Sequence, residues 1–360
     1  MQRPDKNLRV FIGPAEIANV GVLLAGGLRE RGIRVTAVTR ELLPLRAGMK
    51  YDVVLDFRGS NRWHWGFKTL YYYFKFFLQH NAFIFLYGVS LLPRNLDLPI
   101  LKLFHKKTIM WFLGSDIRHY ESVEAAIKKM GIKYRQSEAL RISPERLKQK
   151  KKMIHRVEKY VNYIVTGPSI AQLLTRRYYR IPIPLDTSNI RYNSMPNPKP
   201  VVVHAPTSDE KKGTSYLLEA VEQLKKEGYE FEFHLFRNMS NIKVREALSA
   251  ADIAVDQLFA PSPGMFALES MAAGCAVLGG NIPQFAGFPQ ELPIIHTDPD
   301  NIYQNLKRLL ENPKLRQELG KKGREYVEKY HDSRKIADDI LQLLSGKTEN
   351  LISYEPPEQS

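Results

Sequence analysis

The chain has 360 residues, 44% hydrophobic and 25% charged, an ordinary globular composition that excludes a disordered or low-complexity chain and, at about 150 residues per domain, argues for two domains. A formal charge of +15 points to an anionic partner, whether nucleic acid, an anionic membrane surface or an anionic substrate. The surplus is lopsided. Residues 1–200 hold 35 Lys and Arg against 14 Asp and Glu, a net +21, whereas residues 201–360 hold 18 against 24, a net −6. The single cysteine, Cys275, excludes an intrachain disulfide and fits a reducing compartment. No stretch of about 18 apolar residues is free of polar interruption, and the N-terminal residues carry no apolar signal core. The expectation is a cytoplasmic protein, soluble or peripheral on the cytoplasmic membrane face.

In chain order, short apolar runs at 8–12, 34–39, 52–56, 82–86 and 108–113 read as strands. A helical pattern over 17–31 stops at Gly32. Residues 121–160 read as basic helix, and 163–166 as another strand. Five prolines between 182 and 200 mark a linker, at the point where the charge changes sign. Beyond it, strands are expected at 201–204, 230–236, 253–255 and 276–278, with helices at 214–226, 243–250, 265–273, 301–310, 313–330 and 333–344. Alternation of this kind predicts α/β architecture with parallel sheets covered on both faces, binding ligands at the carboxyl ends of the strands. The expected organisation is a domain over 1–185, a linker over 186–200, a second domain over 201–332, a C-terminal helix over 333–345 and a frayed tail over 346–360.

Two segments of the second half carry chemistry. In Gly264-Met265-Phe266-Ala267-Leu268-Glu269, a glycine opens a helix. Free N–H groups at such a start bind phosphate, and Glu269, more than a turn inside, could accept hydrogen bonds from ribose hydroxyls. An ordinary buried helix fits these residues equally well. In His204-Ala-Pro-Thr207-Ser-Asp-Glu-Lys211-Lys212-Gly213, a strand and polar loop lead to Lys-Gly at a helix entrance, where a lysine beside glycine amides can neutralise a diphosphate.

These segments together resemble the retaining GT-B glycosyltransferases, in particular glycosyltransferase family 4. Further likeness lies in 12–19 with 24–32, in 91–99, in Trp111-Phe-Leu-Gly114-Ser115-Asp116-Ile-Arg118, and in Asp252 and the Asp256-Gln257 pair. The resemblance implies two Rossmann-like doubly wound domains facing across a cleft. It also implies a nucleoside-diphosphate sugar, UDP- or GDP-linked, as donor. Lys212 would neutralise the diphosphate, Glu269 would bind the ribose, and the amides of Gly264, Met265 and Phe266 would meet the phosphate or sugar. Gly13 would approach from the N-terminal domain. Gly114, Ser115, Asp116 and Arg118 would lie on the acceptor side, Asp116 with a catalytic role. Two positions depart from the family pattern. Pro261 stands where an earlier glutamate contacts the donor sugar, and Thr207 stands where an arginine precedes the lysine, leaving Lys211 as helper. The implied reaction moves the sugar to a glycan or lipid-linked acceptor, with retention and no required cofactor or metal, by stabilising the departing diphosphate. The rival reading is a non-catalytic protein of the same fold whose basic half holds an anionic polymer or nucleic acid.

Asp298-Pro-Asp300 spells a metal motif but directly precedes a helix, which favours a cap. Lys148, Lys150, Lys151, Lys152, Arg156 and Lys159 form a cluster suited to an anionic membrane surface. The aromatic run 67–78 reads as a core-facing helix in preference to a membrane-lying one.

Overall fold

A computed structural model describes residues 7–41, 50–56, 62–287 and 291–356. The first six residues and the last four of the tail, both read above, lie outside them. In chain order the elements are β1 (Arg9–Ile12), α1 (Val20–Glu30), β2 (Arg34–Thr39), β3 (Val53–Val54), α2 (Arg62–Gln79), β4 (Ala82–Leu86), α3 (Leu98–Leu103), β5 (Lys107–Trp111), α4 (Tyr120–Lys129), α5 (Pro144–Tyr160), β6 (Tyr163–Val165) and β7 (Tyr178–Tyr179). There follow β8 (Val201–His204), α6 (Asp209–Lys212), α7 (Thr214–Lys226), β9 (Glu232–Leu235), α8 (Asn241–Leu248), β10 (Ile253–Val255), α9 (Met265–Ala273), β11 (Ala276–Gly279), α10 (Pro283–Ala286), β12 (Ile294–His296), α11 (Ile302–Glu311), α12 (Pro313–Tyr330), α13 (Ser333–Ser345) and β13 (Ser353–Tyr354). They form two compact units, one of residues 1–122, 142–184 and 333–360, the other of 123–141 and 185–332. Residues 123–141 thus go with the second unit, although they lie within the stretch 1–185.

The first unit holds an eight-stranded sheet in the order β13-β7-β6-β5-β4-β1-β2-β3. It is parallel except for β13, which runs antiparallel to β7. Phe11, Phe83, Phe85 and Met110 point to one sheet face and pack against Tyr73 and Phe76 of α2, Leu98 and Leu101 of α3, and Ile154 and Val157 of α5. On α1, a Cβ at Gly27 would lie 2.2 Å from the Ser333 carbonyl, so the missing side chain lets α13 lie against that helix. The Arg31 guanidinium grips Asp338 of α13 at 2.6 and 2.7 Å. Contrary to the expectation of a frayed tail, Tyr354 of β13 stacks on buried Tyr178 and Arg180 N–H donates to the Ile352 carbonyl at 2.9 Å. The basic segment 121–160 is helical over α4 and α5, with a break between them. Gly131, at φ +71°, lies in the break.

The aromatic run 67–78 departs further from expectation. Tyr73 and Phe76 are buried and Tyr72 and Phe77 pack beside them, but Phe67, Tyr71, Phe74 and Leu78 are exposed. The sequence is apolar on both sides of α2, and the sheet covers one of them.

The second unit is a five-stranded, fully parallel sheet in the order β12-β11-β10-β8-β9. Leu217, Leu224, Ile253, Val255, Leu278, Leu306 and Leu309 share its main core. Strand order reverses between β8 and β10, so helices leave these neighbours in opposite directions and their carboxyl ends frame a crevice. In the first unit the corresponding reversal lies between β1 and β4. Among the described residues, no helix is long and apolar enough to cross a membrane.

Candidate functional site

The crevice at the ends of β8 and β10 is tied together by His204. This buried residue closes β8, its Nδ1 lying 2.7 Å from the Val255 carbonyl and its Nε2 2.9 Å from Thr214 Oγ1. Burial holds its pKa below 6.5. A neutral ring with the proton on Nδ1 donates to the carbonyl and accepts from the hydroxyl, satisfying both partners.

The loop after β8 winds into α6, whose last residue is Lys212. Gly213 then turns the chain into α7 at φ +77°. A Cβ at Gly213 would sit 3.1 Å from that of Leu258, so both the left-handed backbone and the close approach favour glycine. This geometry sends the Lys212 ammonium toward the end of β10. There it donates at 3.1 Å to Asp256 Oδ1 and at 3.1 Å to Gln257 Oε1. The other Asp256 oxygen accepts from Gly264 N–H at 2.9 Å. Asp256 is buried, while the lysine keeps partial exposure. The two segments singled out from sequence therefore meet through one carboxylate. Its neighbour in sequence, Gln257, is in turn fixed by donating to the Ser262 carbonyl at 3.1 Å.

Gly264 caps α9 with no side chain of its own. The amides of the first helical turn lack intrahelical acceptors by geometry and carry the positive end of the helix dipole. Met265 and Phe266 are half-buried at this start. Glu269, one turn on, is buried, and its Oε1 accepts a two-pronged bond from Arg245 (Nε 2.9 Å, Nη2 2.8 Å) and one from Asn241 at 3.1 Å. Its Oε2 has the longer Asn241 contact, at 3.3 Å. Arg245 and Asn241, both on α8, escaped the sequence reading, because nothing in their own stretch of sequence announces a partner 24 or more residues away.

Thr207 and Lys211 are exposed on the loop and α6. Arg237, also missed, brings a guanidinium to α6 by gripping Asp209 at 3.0 and 2.7 Å. Pro261 is buried and its carbonyl accepts from Ile282 N–H, a structural task. Asp298 Oδ1 accepts from Asp300 N–H at 2.9 Å and Asn301 N–H at 3.2 Å, closing the turn into α11. Cys275 is buried, its thiol pushed far up by desolvation.

The remaining sequence candidates belong to the first unit. Gly13 follows β1 at φ +134°, where a Cβ would lie 2.2 Å from the Val38 carbonyl, so β2 leaves room for nothing but glycine. The peptide bond between Gly13 and Pro14 is cis. Glu16, buried nearby, accepts from the Gly21 and Val22 amides at 3.1 Å each, occupying the start of α1. Asp116 turns its carboxylate onto its own loop, accepting from Gly114 N–H at 2.7 Å and Leu113 N–H at 3.1 Å. Desolvation raises its pKa. Ser115 Oγ contacts the Tyr87 hydroxyl, and Arg118 stacks on and donates to Tyr120. Lys150 corrects the basic cluster read from sequence. Its ammonium donates inward, to the Ser115 and Arg118 carbonyls at 2.7 and 2.8 Å, so it leaves the exposed face to Lys148, Lys151, Lys152 and Lys159, while Arg156 is half-buried and donates to the Arg94 carbonyl at 2.8 Å.

Residues 217–342 match the protein family described as glycosyl transferase-like. No curated protein matches the sequence. Many solved structures share the fold, among them the following three. Sucrose-phosphate synthase from Thermosynechococcus elongatus has 17% identity and a TM-score of 0.60 over 96% of each chain. WaaG, a glycosyltransferase involved in lipopolysaccharide biosynthesis, has 12% identity and a TM-score of 0.58 over 94% of this chain and 100% of that one. HepE from Anabaena, in complex with UDP-glucose, has 11% identity and a TM-score of 0.55 over 94% and 99%.

Proposed function

With the fold of the GT-B glycosyltransferases and a match to a glycosyl transferase-like family over residues 217–342, we propose that this chain moves a sugar from a nucleoside-diphosphate donor to a glycan or lipid-linked acceptor. The observation that carries the reading is the junction of the Lys212 ammonium, the Asp256 carboxylate and the Gly264 helix start at the strand reversal of the second sheet. A diphosphate is the ligand such a group suits, because the lysine supplies a point charge and the α9 amides supply a fixed array of donors. Asp256 is a positioning residue: it aims Lys212 and the Gly264 amide at one place. The solved HepE complex holds UDP-glucose, which makes a UDP-sugar the first donor to try.

In this reading departure of the nucleoside diphosphate is eased by Lys212 and the α9 amides, which act on the charge that grows as the sugar leaves. The acceptor hydroxyl attacks the same face, giving retention without an obligatory metal. Glu269, held by Arg245 and Asn241, offers Oε2 to the ribose. Arg237, gripped by Asp209, takes the place of the cation absent at Thr207, with Lys211 beside it. Gly114, Ser115, Asp116 and Arg118 form the acceptor-side loop, Asp116 chiefly by holding its shape. The basic face of α5 puts the protein on an anionic surface, for which the cytoplasmic membrane face is the natural candidate.

The experiment is binding of UDP, GDP and ADP and their sugar conjugates, read as thermal stabilisation and then as donor turnover with and without a chelator. One nucleotide series should stabilise the protein by about 2.7 kcal/mol at a hundredfold excess over its Kd. No stabilisation by any of the three defeats the donor reading and leaves an anionic-polymer binder, whose affinity would fall steeply with salt.

A further inference from the structure

We propose that the outer face of α2 and α3 is a membrane-docking surface that inserts into the interfacial layer of an anionic bilayer, with the basic face of α5 as its rim. The proposal deepens the anionic-surface reading above and rests on it for the sign of the lipid, but it assigns insertion to a face outside the basic cluster.

Phe67, Leu70, Tyr71, Phe74 and Leu78 follow one another at helical spacing and therefore share a single side of α2. They are 73%, 48%, 63%, 57% and 72% exposed. Leu103 and Phe104, at the end of α3, are 73% and 58% exposed. The two sets adjoin, since Phe104 packs edge-on to Phe77 of α2 with ring centroids 5.2 Å apart. Single exposed apolar residues are common on protein surfaces, but a contiguous aromatic and aliphatic patch marks an interaction site. A helix apolar on both sides has one side more than its own sheet can cover.

The charge around the patch selects the occupant. From residue 57 to 115 the chain has one acidic residue, Asp97, and it is fully buried. Lys68 and Lys75 flank the apolar stripe, and Lys102 and Lys106 close its α3 end. Lys102 donates to the Lys159 carbonyl at 2.8 Å and Arg156 to the Arg94 carbonyl at 2.8 Å, which joins the α3 region to the end of α5. There Lys148, Lys151, Lys152, His155 and Lys159 are exposed along one side of the helix. The acids of α5 are Glu145, at its first turn, and Glu158, which accepts from Thr175. An apolar strip edged by lysines matches a layer of anionic headgroups over acyl chains. A second copy of the chain would set lysine against lysine, and nucleic acid would leave the phenylalanines and leucines without partners.

The test uses the full-length protein and flotation with vesicles of phosphatidylcholine, with and without phosphatidylglycerol. Wild type should float with the anionic vesicles and not with the neutral ones. Combined Phe67→Ser, Phe74→Ser and Leu103→Ser should weaken partition about tenfold or more, with an unchanged circular dichroism spectrum and unchanged nucleotide binding. Combined Lys148→Glu, Lys152→Glu and Lys159→Glu should abolish the preference for anionic lipid. At about 1 M salt, where screening reaches roughly 3 Å, wild type should keep residual binding that the serine variant lacks. Undiminished flotation of the serine variant overturns insertion, and so does a wild-type dimer that the serine changes split without any effect of lipid. Because nucleotide binding is read separately, loss of the donor reading leaves these outcomes standing, and failure to float leaves the donor reading intact.

Discussion

The two sheets each place a helix near a strand reversal, and the two helix starts are treated in opposite ways. At α1 the chain supplies its own anion, as the buried Glu16 carboxylate takes the Gly21 and Val22 amides. At α9 the internal carboxylate, Asp256, takes the Gly264 amide ahead of the helix, and a lysine binds the same carboxylate. A helix N-terminus is therefore no anion site by position alone. What separates the two is whether a neighbouring acid reaches past the cap into the first turn. Charge bears on the same contrast. The unit expected to hold an anionic donor, residues 123–141 and 185–332, has 22 Lys and Arg against 22 Asp and Glu and so no net charge, which leaves a few fixed groups, not the field of the domain, to attract such a donor.

The largest expected break is at Glu269. Truncating it to alanine strands the Arg245 guanidinium in a buried site, and should cost about 3–5 kcal/mol of stability, read as the urea midpoint at constant slope. Pairing Glu269→Ala with Arg245→Met should recover part of the loss, whereas an equal loss in both variants would deny that the pair matters. Next comes Lys212→Ala. If the lysine meets a diphosphate, losing a charged hydrogen bond should weaken nucleotide binding by about 1.5–3 kcal/mol, measured by calorimetry. Unchanged affinity would place the donor elsewhere. Smaller again is Glu16→Gln, which should lower stability by about 0.5–2 kcal/mol, as loss of a helix cap does, and leave nucleotide affinity alone. A drop in affinity there would erase the distinction between the two helix starts.

The smallest effect is on pH dependence, and it sharpens the comparison by appearing in both units. His204 and His80 are each buried and each hydrogen-bonded through both ring nitrogens, His80 to the Phe76 carbonyl and Thr36 Oγ1. Desolvation lowers both pKa values from 6.5. The unfolded chain then binds protons that the folded chain refuses, so stability is fully present above pH 6.5 and is lost as pH falls below it. His204→Gln and His80→Gln should each flatten the acid limb of the unfolding free energy, measured by denaturant titration across that window. An acid limb unaltered in both would show that neither ring carries the linkage.

The alternation of strands and helices, the turn at Gly213 and the glycine that opens α9 were legible in the sequence. Each depends on local spacing or on backbone conformations that only certain residues tolerate. The helices 265–273 and 313–330 come out at the expected residues for that reason. Pairings were not legible. Lys212 was visible as a cation, but its carboxylate lies 44 residues on, and the arginine that holds Glu269 lies 24 residues back. Nor could periodicity say which side of α2 the sheet would cover, since both sides are apolar, or that Lys150 would turn inward while its neighbours face solvent. Spacing along the chain determines which residues share a face. Only the packing of distant strands decides which face is buried and which charges are left to meet a partner.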